Sequence, residues 1–342
     1  MAASIRDVAD RANVSVSTVS RALNGYTDVS EETRRRVEQI AKDLGYTPNQ
    51  SAKNLSSKTQ KNMALLISGL FFEQNKVDEF VMDVLKGVYS YVNEKNFTIA
   101  TYAIDSKMQK TKKLEELCRE YSLSGVMLMG MRLEDNYLLE ANKINIPCVG
   151  VDIDLNGNKT ATVGTDDEKA FEEITNYVIQ QNHRKLVLVV GRTDAKVTKS
   201  RWDGFSTALK KNKLFMKNVS QIYCDFQECI AYEKTKSFLK KYGKTKNTAF
   251  ICMSDLMAVG VCRAITDMGY SVPKDFSVTG FDGLKVLDYI YPQITTVDQN
   301  IIKKGYEGIK LLEKIVEGRS NMRDIYVPHR LVIRDSVKKL EL

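Results

Sequence analysis

Histidine is nearly missing from this 342-residue chain, which has two, along with five prolines and a single tryptophan. Its six cysteines (Cys118, Cys148, Cys224, Cys229, Cys252 and Cys262) never form a C-x-x-C pair, and His183 and His329 stand apart, so no spacing suits a zinc ion. No metal and no cofactor is expected, and the thiols read as reduced core residues.

Long apolar runs are lacking too. The longest, Met63–Ile67 and Leu186–Val190, have strand length, well short of the roughly 18 residues that a membrane span needs. The opening MAASIRDVADR reaches charge at its sixth residue and has no signal-peptide core. A cytoplasmic protein with no membrane partner is expected. Catalytic fingerprints are equally scarce. Gly243-Lys244-Thr245 looks like the end of a phosphate-binding loop, but its first glycine should stand at Phe238. G-x-S-x-G and the Rossmann glycine pattern do not occur, so no catalytic residue is expected.

What is present is an ordinary globular composition, 43% hydrophobic, with 51 Lys and Arg against 43 Asp and Glu for a net charge of +8. At roughly 100–200 residues per domain the length implies two or three domains. Residues 1–62 hold 10 basic and 7 acidic residues, and residues 44–62 have Lys53, Lys58 and Lys61 with no acid. Arg34, Arg35 and Arg36 run together. A basic run is usually a solvated face, and needs a structural context before it points to nucleic acid.

The first 45 residues supply that context as three short helices. Ser4 with Asp7 makes a capping box, followed at helical spacing by Ile5, Val8, Ala9 and Ala12. Asn13 suits a left-handed turn. Ser15 caps a second helix whose inner side is Val16, Val19, Ala22 and Leu23, with Asn24-Gly25 at its end. A third helix starts near Asp28 or Ser30, places Glu31 and Glu32 in its first turn, and ends at Gly45. This is a helix-turn-helix pattern. From Met63 apolar strands are expected at 63–67, 98–104, 125–129, 147–151, 185–190, 219–223, 249–252 and 276–281, with amphipathic helices between most of them. That alternation specifies parallel sheets covered on both faces. The expected fold is an all-α headpiece (residues 1–47), a hinge or linker (48–62) and an α/β body of two doubly wound lobes (63–342). A ligand would lie at the carboxyl ends of the strands.

On these residues the chain resembles the LacI/GalR family of bacterial transcriptional regulators. The likeness is carried by Ile5-Arg-Asp-Val-Ala, Asn13-Val-Ser-Val-Ser-Thr-Val-Ser-Arg-Ala-Leu-Asn24, Val29-Ser, Glu32-Thr-Arg34 and Leu44-Gly-Tyr-Thr-Pro-Asn49, with Leu55. It continues through Arg201-Trp-Asp-Gly-Phe205, Ser254-Asp255, Ser277-Val-Thr-Gly-Phe-Asp282, Ile294-Thr-Thr-Val297 and Leu331-Val-Ile-Arg-Asp-Ser336. The resemblance implies a periplasmic-binding-protein-like body and a repressor that binds double-stranded, pseudo-palindromic operator DNA. It implies a homodimer or tetramer that answers to a small effector, a sugar or sugar phosphate.

With Val16, Val19, Ala22 and Leu23 committed inward, Ser17, Thr18, Ser20, Arg21 and Asn24 face outward beside the capping Ser15, as short polar and basic side chains must to reach base edges. The resemblance adds Val16 to Ser17 and Arg21 as base readers, and Ser4, Thr33, Tyr46 and Asn49 as phosphate contacts. It also makes Leu55 a minor-groove wedge on a short hinge helix, flanked by Lys53 and Ser56. In the body, Asp152 and Asp282 each follow an apolar strand, and Arg201 is expected at the start of a helix after the polar loop Thr193–Ser200. Carboxylates and a guanidinium form a polar kit for hydroxyls. Phe71 and Phe72 follow the first strand and would roof the site, while the resemblance implies Phe226 as a ring-stacking residue and Ser254 beside it. Two other readings share this body: a nucleoside- or purine-responsive regulator, and a sugar receptor serving a transporter, which would need a signal peptide and no headpiece.

Overall fold

The computed structural model describes residues 3–23, 25–46, 62–69, 79–95, 97–244, 248–320 and 324–341. The chain divides into two compact units, Met1–Gln60 and Lys61–Leu342.

In the first unit, helices α1 (Ile5–Ala12), α2 (Val16–Leu23) and α3 (Glu31–Asp43) surround a core whose buried members among the described residues are Val8, Ala9, Ala12, Val19, Ala22, Val29, Val37 and Ala41, with Ile5, Leu23, Ile40 and Leu44 packed against it. The ends are set by local chemistry. The Ser4 hydroxyl accepts from the Asp7 amide at 3.3 Å while Asp7 accepts from the Ser4 amide at 2.7 Å, satisfying donors the helix cannot. Asn13 takes the left-handed conformation (φ 51°) that turns α1 into α2. Of the two starts read for the third helix, Ser30 is the cap, its hydroxyl accepting from the Thr33 amide at 3.2 Å.

The second unit has two lobes. In the first, strands β1 (Met63–Ser68), β2 (Ile99–Ile104), β3 (Gly125–Met129), β4 (Cys148–Val151) and β5 (Thr160–Gly164) alternate with helices α4 (Glu79–Lys95), α5 (Ser106–Thr111), α6 (Leu114–Glu120) and α7 (Asn136–Ala141). In the second, β6 (Leu186–Val190), β7 (Val219–Tyr223), β8 (Ala249–Cys252) and β9 (Ser277–Thr279) alternate with α8 (Asp167–Gln180), α9 (Lys196–Lys211), α10 (Glu228–Tyr242) and α11 (Asp255–Asp267). The chain then returns through β10 (Thr296–Asp298) to α12 (Ile301–Val316), β11 (Asp324–Tyr326) and β12 (Arg330–Val332). The first sheet has the order β11-β5-β4-β3-β1-β2 and the second β7-β6-β8-β9, while β10 and β12 form an antiparallel ladder. Register in the first sheet pairs Met63 with Ile99 and Cys148 with Thr160, both parallel.

The eight expected strands are present with ends within one residue, except that 276–281 shortens to Ser277–Thr279. Strands β5, β10, β11 and β12 have no counterpart among the expected ones. In β5 the polar pattern hides a fully buried strand, because Thr160 donates to the Gly157 carbonyl and Thr162 to the Ile153 carbonyl, each at 3.0 Å. Five of the six cysteines are buried, and Cys229 is exposed. Both histidines, read as loop residues beside strands, are held by partners. His183 is buried among Thr248, Ser277 and the Lys338 carbonyl, at 2.9, 2.9 and 3.0 Å, which pins the C-terminal segment to the second lobe. Burial pushes its imidazole down to about 4. His329 meets Glu173 at 3.0 Å.

Two helices of the body approach unusually closely. A Cβ at Gly87 or Gly305 would overlap the backbone of the facing helix, so these two glycines let α4 and α12 pack backbone to backbone. The contact fixes α12 against the first lobe.

Candidate nucleic-acid interface and ligand cleft

On α2, Val19 and Ala22 are buried while Ser15, Val16, Ser17 and Arg21 are exposed and Thr18 and Ser20 half-buried. Val16 is 41% exposed, a large apolar side chain held in solvent at the start of the helix, rather than the inward residue that its spacing predicts. Several hydroxyls are already engaged. Ser15 is the cap of α2, accepting from the Thr18 amide at 3.1 Å and bonding to the Ser17 and Thr18 hydroxyls at 2.7 and 2.8 Å. The Ser4 hydroxyl donates to Asp7, whose carboxyl these bonds hold below the usual carboxylate range. Thr33 is half-buried, its hydroxyl against Ser30 at 2.9 Å. Tyr46 is half-buried, anchored by its amide to the Ala41 carbonyl at 2.8 Å. Arg21 pairs with Asp28 at 3.1 Å, both well exposed. Of the arginine run, Arg34 is structural, tied to Glu31 at 2.9 Å and the Tyr26 carbonyl at 2.8 Å, whereas Arg35 and Arg36 are exposed. Asn24, Asn49, Lys53, Leu55 and Ser56 lie outside the described residues.

In the body, the expected ligand residues gather where the two sheets present their carboxyl ends. Asp152 follows β4 in a left-handed conformation (φ 55°). Asp282 lies three residues past β9, its amide bonded to the Val297 carbonyl at 2.9 Å. Phe226 (φ 63°) follows β7 and is half-buried against Gly191, where a side chain would overlap its ring. Ser254 is the cap of α11, its hydroxyl accepting from the Met257 amide at 3.2 Å and thus engaged by the backbone. Phe71 and Phe72 lie outside the described residues.

Arg201 differs from expectation in its place on the helix. It sits in the second turn of α9, not at its start, because the helix begins at Lys196 within the stretch read as a loop. Asp282 pairs with it at 3.8 Å, and closer partners hold it too. Its Nε donates to Asp167 at 2.8 Å, one terminal nitrogen donates to the Met253 carbonyl at 2.5 Å, and the guanidinium lies 4.0 Å from the centre of the Phe281 ring. Burial opposes its charge, but Asp167 and Asp282 more than offset that and raise its pKa. Burial pushes the Asp167 carboxyl up against the pull of Arg201, and Asp167 Oδ2 has no hydrogen-bond partner among the described residues.

Four residues of the site are not among the expected ligand residues. Lys304, fully buried, donates to Asp152 Oδ1 and Oδ2 at 2.8 and 2.9 Å and to Gln299 Oε1 at 2.8 Å. Gln299 in turn donates to Asp282 Oδ1 at 2.6 Å. Asp167 completes the arginine end. Asp255, recognised only as part of a motif, accepts from Thr296 at 2.6 Å and from the Gly283 and Leu284 amides at 2.8 Å each. Its burial raises the carboxyl to about 6 in spite of those bonds. The signal that exposes Lys304 is periodicity, since Ile301, Lys304, Gly305, Gly308, Ile309 and Leu312 lie on one buried face of α12. Among the described residues no cluster of His, Cys, Asp or Glu could hold a metal ion. No helix among them is long and apolar enough to cross a membrane. Chemically the site is a linked set of donors and acceptors fixed by one another, an arrangement suited to binding.

Residues 4–49 match the model of the bacterial regulatory proteins of the lacI family, and residues 175–337 that of a periplasmic binding protein-like domain. The HTH-type transcriptional regulator MalR of Clostridium butyricum is 29% identical over 337 residues, covering 97% of this chain and 98% of MalR. Among solved structures, the lac repressor dimer bound to operator and the anti-inducer ONPF superposes with a TM-score of 0.86 at 22% identity, covering 99% of this chain and all of that one. The complex of the transcriptional regulator CelR with cellobiose superposes with a TM-score of 0.71 at 24% identity, over 98% of this chain and 99% of CelR. With a capped helix-turn-helix that matches the lacI family of bacterial regulatory proteins and a two-lobed α/β body that matches a periplasmic binding protein-like domain, the chain is a DNA-binding transcriptional regulator, as its relatives are.

Proposed function

We propose that the protein is a cytoplasmic repressor that binds a pseudo-palindromic operator as a homodimer and responds to a small, hydroxyl-rich effector of the sugar class. The DNA half of this reading is carried by α2. Its buried side is committed to the headpiece core, and Val16, Ser17 and Arg21 stand exposed in a row that fits the major groove. Arg21 suits guanine through two parallel bonds, Val16 a thymine methyl, and Ser4, Thr33, Tyr46 and Asn49 the phosphates that set register. Residues 1–47 then form the headpiece, 48–62 the hinge carrying Lys53, Leu55 and Ser56, and 63–342 the effector and dimerisation body. Leu55 is proposed as a wedge that pries open a central base step and bends the site.

The effector half rests on Asp152, Arg201 and Asp282, with Phe226 and Ser254 around them. Opposed charges alternate along the site, so it favours a neutral ligand with several hydroxyls over a strong anion. The cellobiose bound by CelR supports the same class. Effector would act by binding one closure of the lobes better than another and so shifting the hinges of a dimer.

Selection of random duplexes on the full-length protein tests the DNA reading. The expected product is two related half-sites centred about one helical turn apart, and the absence of any enriched sequence overturns it. A thermal-shift panel of mono- and disaccharides, sugar phosphates, nucleosides and purines tests the effector class, because a ligand that binds only the folded state raises its stability by mass action. Stabilisation by nucleosides or purines alone would replace the sugar reading.

A further inference from the structure

A lysine with no exposed surface has to have all three of its protons satisfied or it is costly to keep charged. Lys304 achieves this with three acceptors and no slack: both oxygens of Asp152 and the side-chain oxygen of Gln299. That geometry also orients the Gln299 amide. Lysine only donates, so Oε1 must face it, and Nε2 is left to donate to Asp282 at 2.6 Å. The Gln299 backbone amide bonds to the Asp282 carbonyl as well, at 3.1 Å. A directed chain of polar contacts therefore runs from Asp152 at the end of β4 through Lys304 and Gln299 to Asp282, with Arg201 and Asp167 beyond.

The two ends of this chain belong to different lobes. Lys304 rides on α12, which Gly305 presses against α4 of the first lobe, and Gln299 is bound to Asp282 at the carboxyl edge of the second. Between Gln299 and the helix lies Asn300 with φ 52°, a left-handed residue that makes no side-chain cap and marks the bend where the backbone leaves β10 for α12. Other contacts between the lobes include two ion pairs at the wet rim, Lys196 with Asp154 at 3.2 Å and Arg132 with Asp194 at 3.6 Å, each with one partner at least 44% exposed, and a contact away from Asn300 where Leu284 of the second lobe is buried in the first lobe's core and the Val286 amide donates to Glu79 at 3.2 Å. Exposed ion pairs like the two at the rim contribute little.

We infer that Lys304 is a positioning residue of the cleft, bracing the bend at Asn300 by holding Asp152 and Gln299 together and so fixing the distance between the Asp152 wall and the Asp282–Arg201 wall. The inference rests on the reading of this cleft as the effector site for its meaning, but not for its test. A ligand entering there meets Asp152 already neutralised, and reaches its oxygens only by displacing the lysine.

The test measures the spacing of the lobes in the full chain without effector or operator. Spin labels go on Leu139→Cys in the first lobe and Phe215→Cys in the second, both exposed sites, in a Cys229→Ser background and diluted with unlabelled protein. Two variants cut the chain of contacts differently. Lys304→Met with Asp152→Asn removes both charges together and leaves neither buried alone. Gln299→Glu keeps the lysine contact and sets a carboxylate against Asp282. In both, the expected result is a longer mean distance and a broader distribution than in the parent, while His183→Gln, which loosens the second lobe internally, leaves the distance unchanged. If folded samples of both brace variants, checked by circular dichroism, give the parent distribution, Lys304 is only a buried structural pair and the inference fails. A thermal-shift panel that finds no sugar would count against the effector reading and leave the distance result standing.

Discussion

The headpiece and the body solve opposite problems. Among the described headpiece residues the buried core side chains are valine and alanine, and the side chains proposed to face DNA are exposed or half-buried, several of their hydroxyls engaged at helix caps. In the body the cores are larger, with Phe171, Phe205, Phe250, Phe276 and Phe281 fully buried in the second lobe, and Arg201, Ser254, Asp282 and Lys304 of the candidate site are buried too, beside the half-buried Asp152 and Phe226. A recognition surface on a small, thinly cored unit has to engage its polar groups locally, on helix ends, because little tertiary packing is available to fix them. A ligand site inside a large unit can hold charges far from water, provided each has a partner.

The sharpest way to break this contrast is to orphan buried donors in the body. Asp255→Ala strands the Thr296 hydroxyl and two backbone amides. At about 1–3 kcal/mol for each unsatisfied group, a loss on the order of 3 kcal/mol or more is expected. Denaturation followed by the lone tryptophan, Trp202, reads the body directly, and a loss below about 1 kcal/mol would mean the site is less tightly held than its geometry indicates.

Arg21→Ala should act on sequence recognition and leave the fold alone. Discrimination between the selected operator and a scrambled duplex should shrink by about 1–3 kcal/mol in a titration at fixed salt. An unchanged ratio removes Arg21 from base reading. Smaller again, Ser30→Ala takes away the cap of α3 and should cost the headpiece about 1 kcal/mol, visible as earlier loss of headpiece amide signals in NMR with the Trp202 transition unmoved. The last effect is one of slope with pH, and it comes from His183. Its pKa lies near 4 when folded, below the ordinary value of about 6.5, so unfolding takes up a proton between those limits. The stability it protects is full above about pH 6.5 and declines as pH falls toward 4. His183→Gln should flatten the melting temperature over that interval, and an equally steep decline in the variant would place the acid sensitivity elsewhere.

How far the sequence could be read follows the same divide. In the headpiece each helix has its cap, its apolar face and its stop within a few residues, so the helices and the outward row on α2 could be read directly, Val16 excepted. Continuous runs such as Leu186–Val190 announce the central strands for a similar local reason. Strand β5 does not, because its threonines pass as surface until their backbone acceptors are known. The three-residue strands β10, β11 and β12 are too short to show any period. Asp152 and Asp282 can be inferred from strand ends, but Lys304, Gln299 and Asp167 owe their roles to partners far along the chain or across a bend. A charged residue on an amphipathic helix reads as solvent-facing until the periodicity of its own helix is counted, and Lys304 is such a residue.

The ion pair between Arg21 and Asp28 has a consequence for how such a protein would search a chromosome. If Arg21 reads a base as proposed, Asp28 would give it a resting place while the headpiece lies on random sequence. An exposed pair of this kind contributes about 0–1 kcal/mol, less than the roughly 1–3 kcal/mol of a two-pronged guanine contact. Asp28 would then work as a clutch, keeping the reading side chain disengaged in transit and yielding it where the correct base offers the better grip.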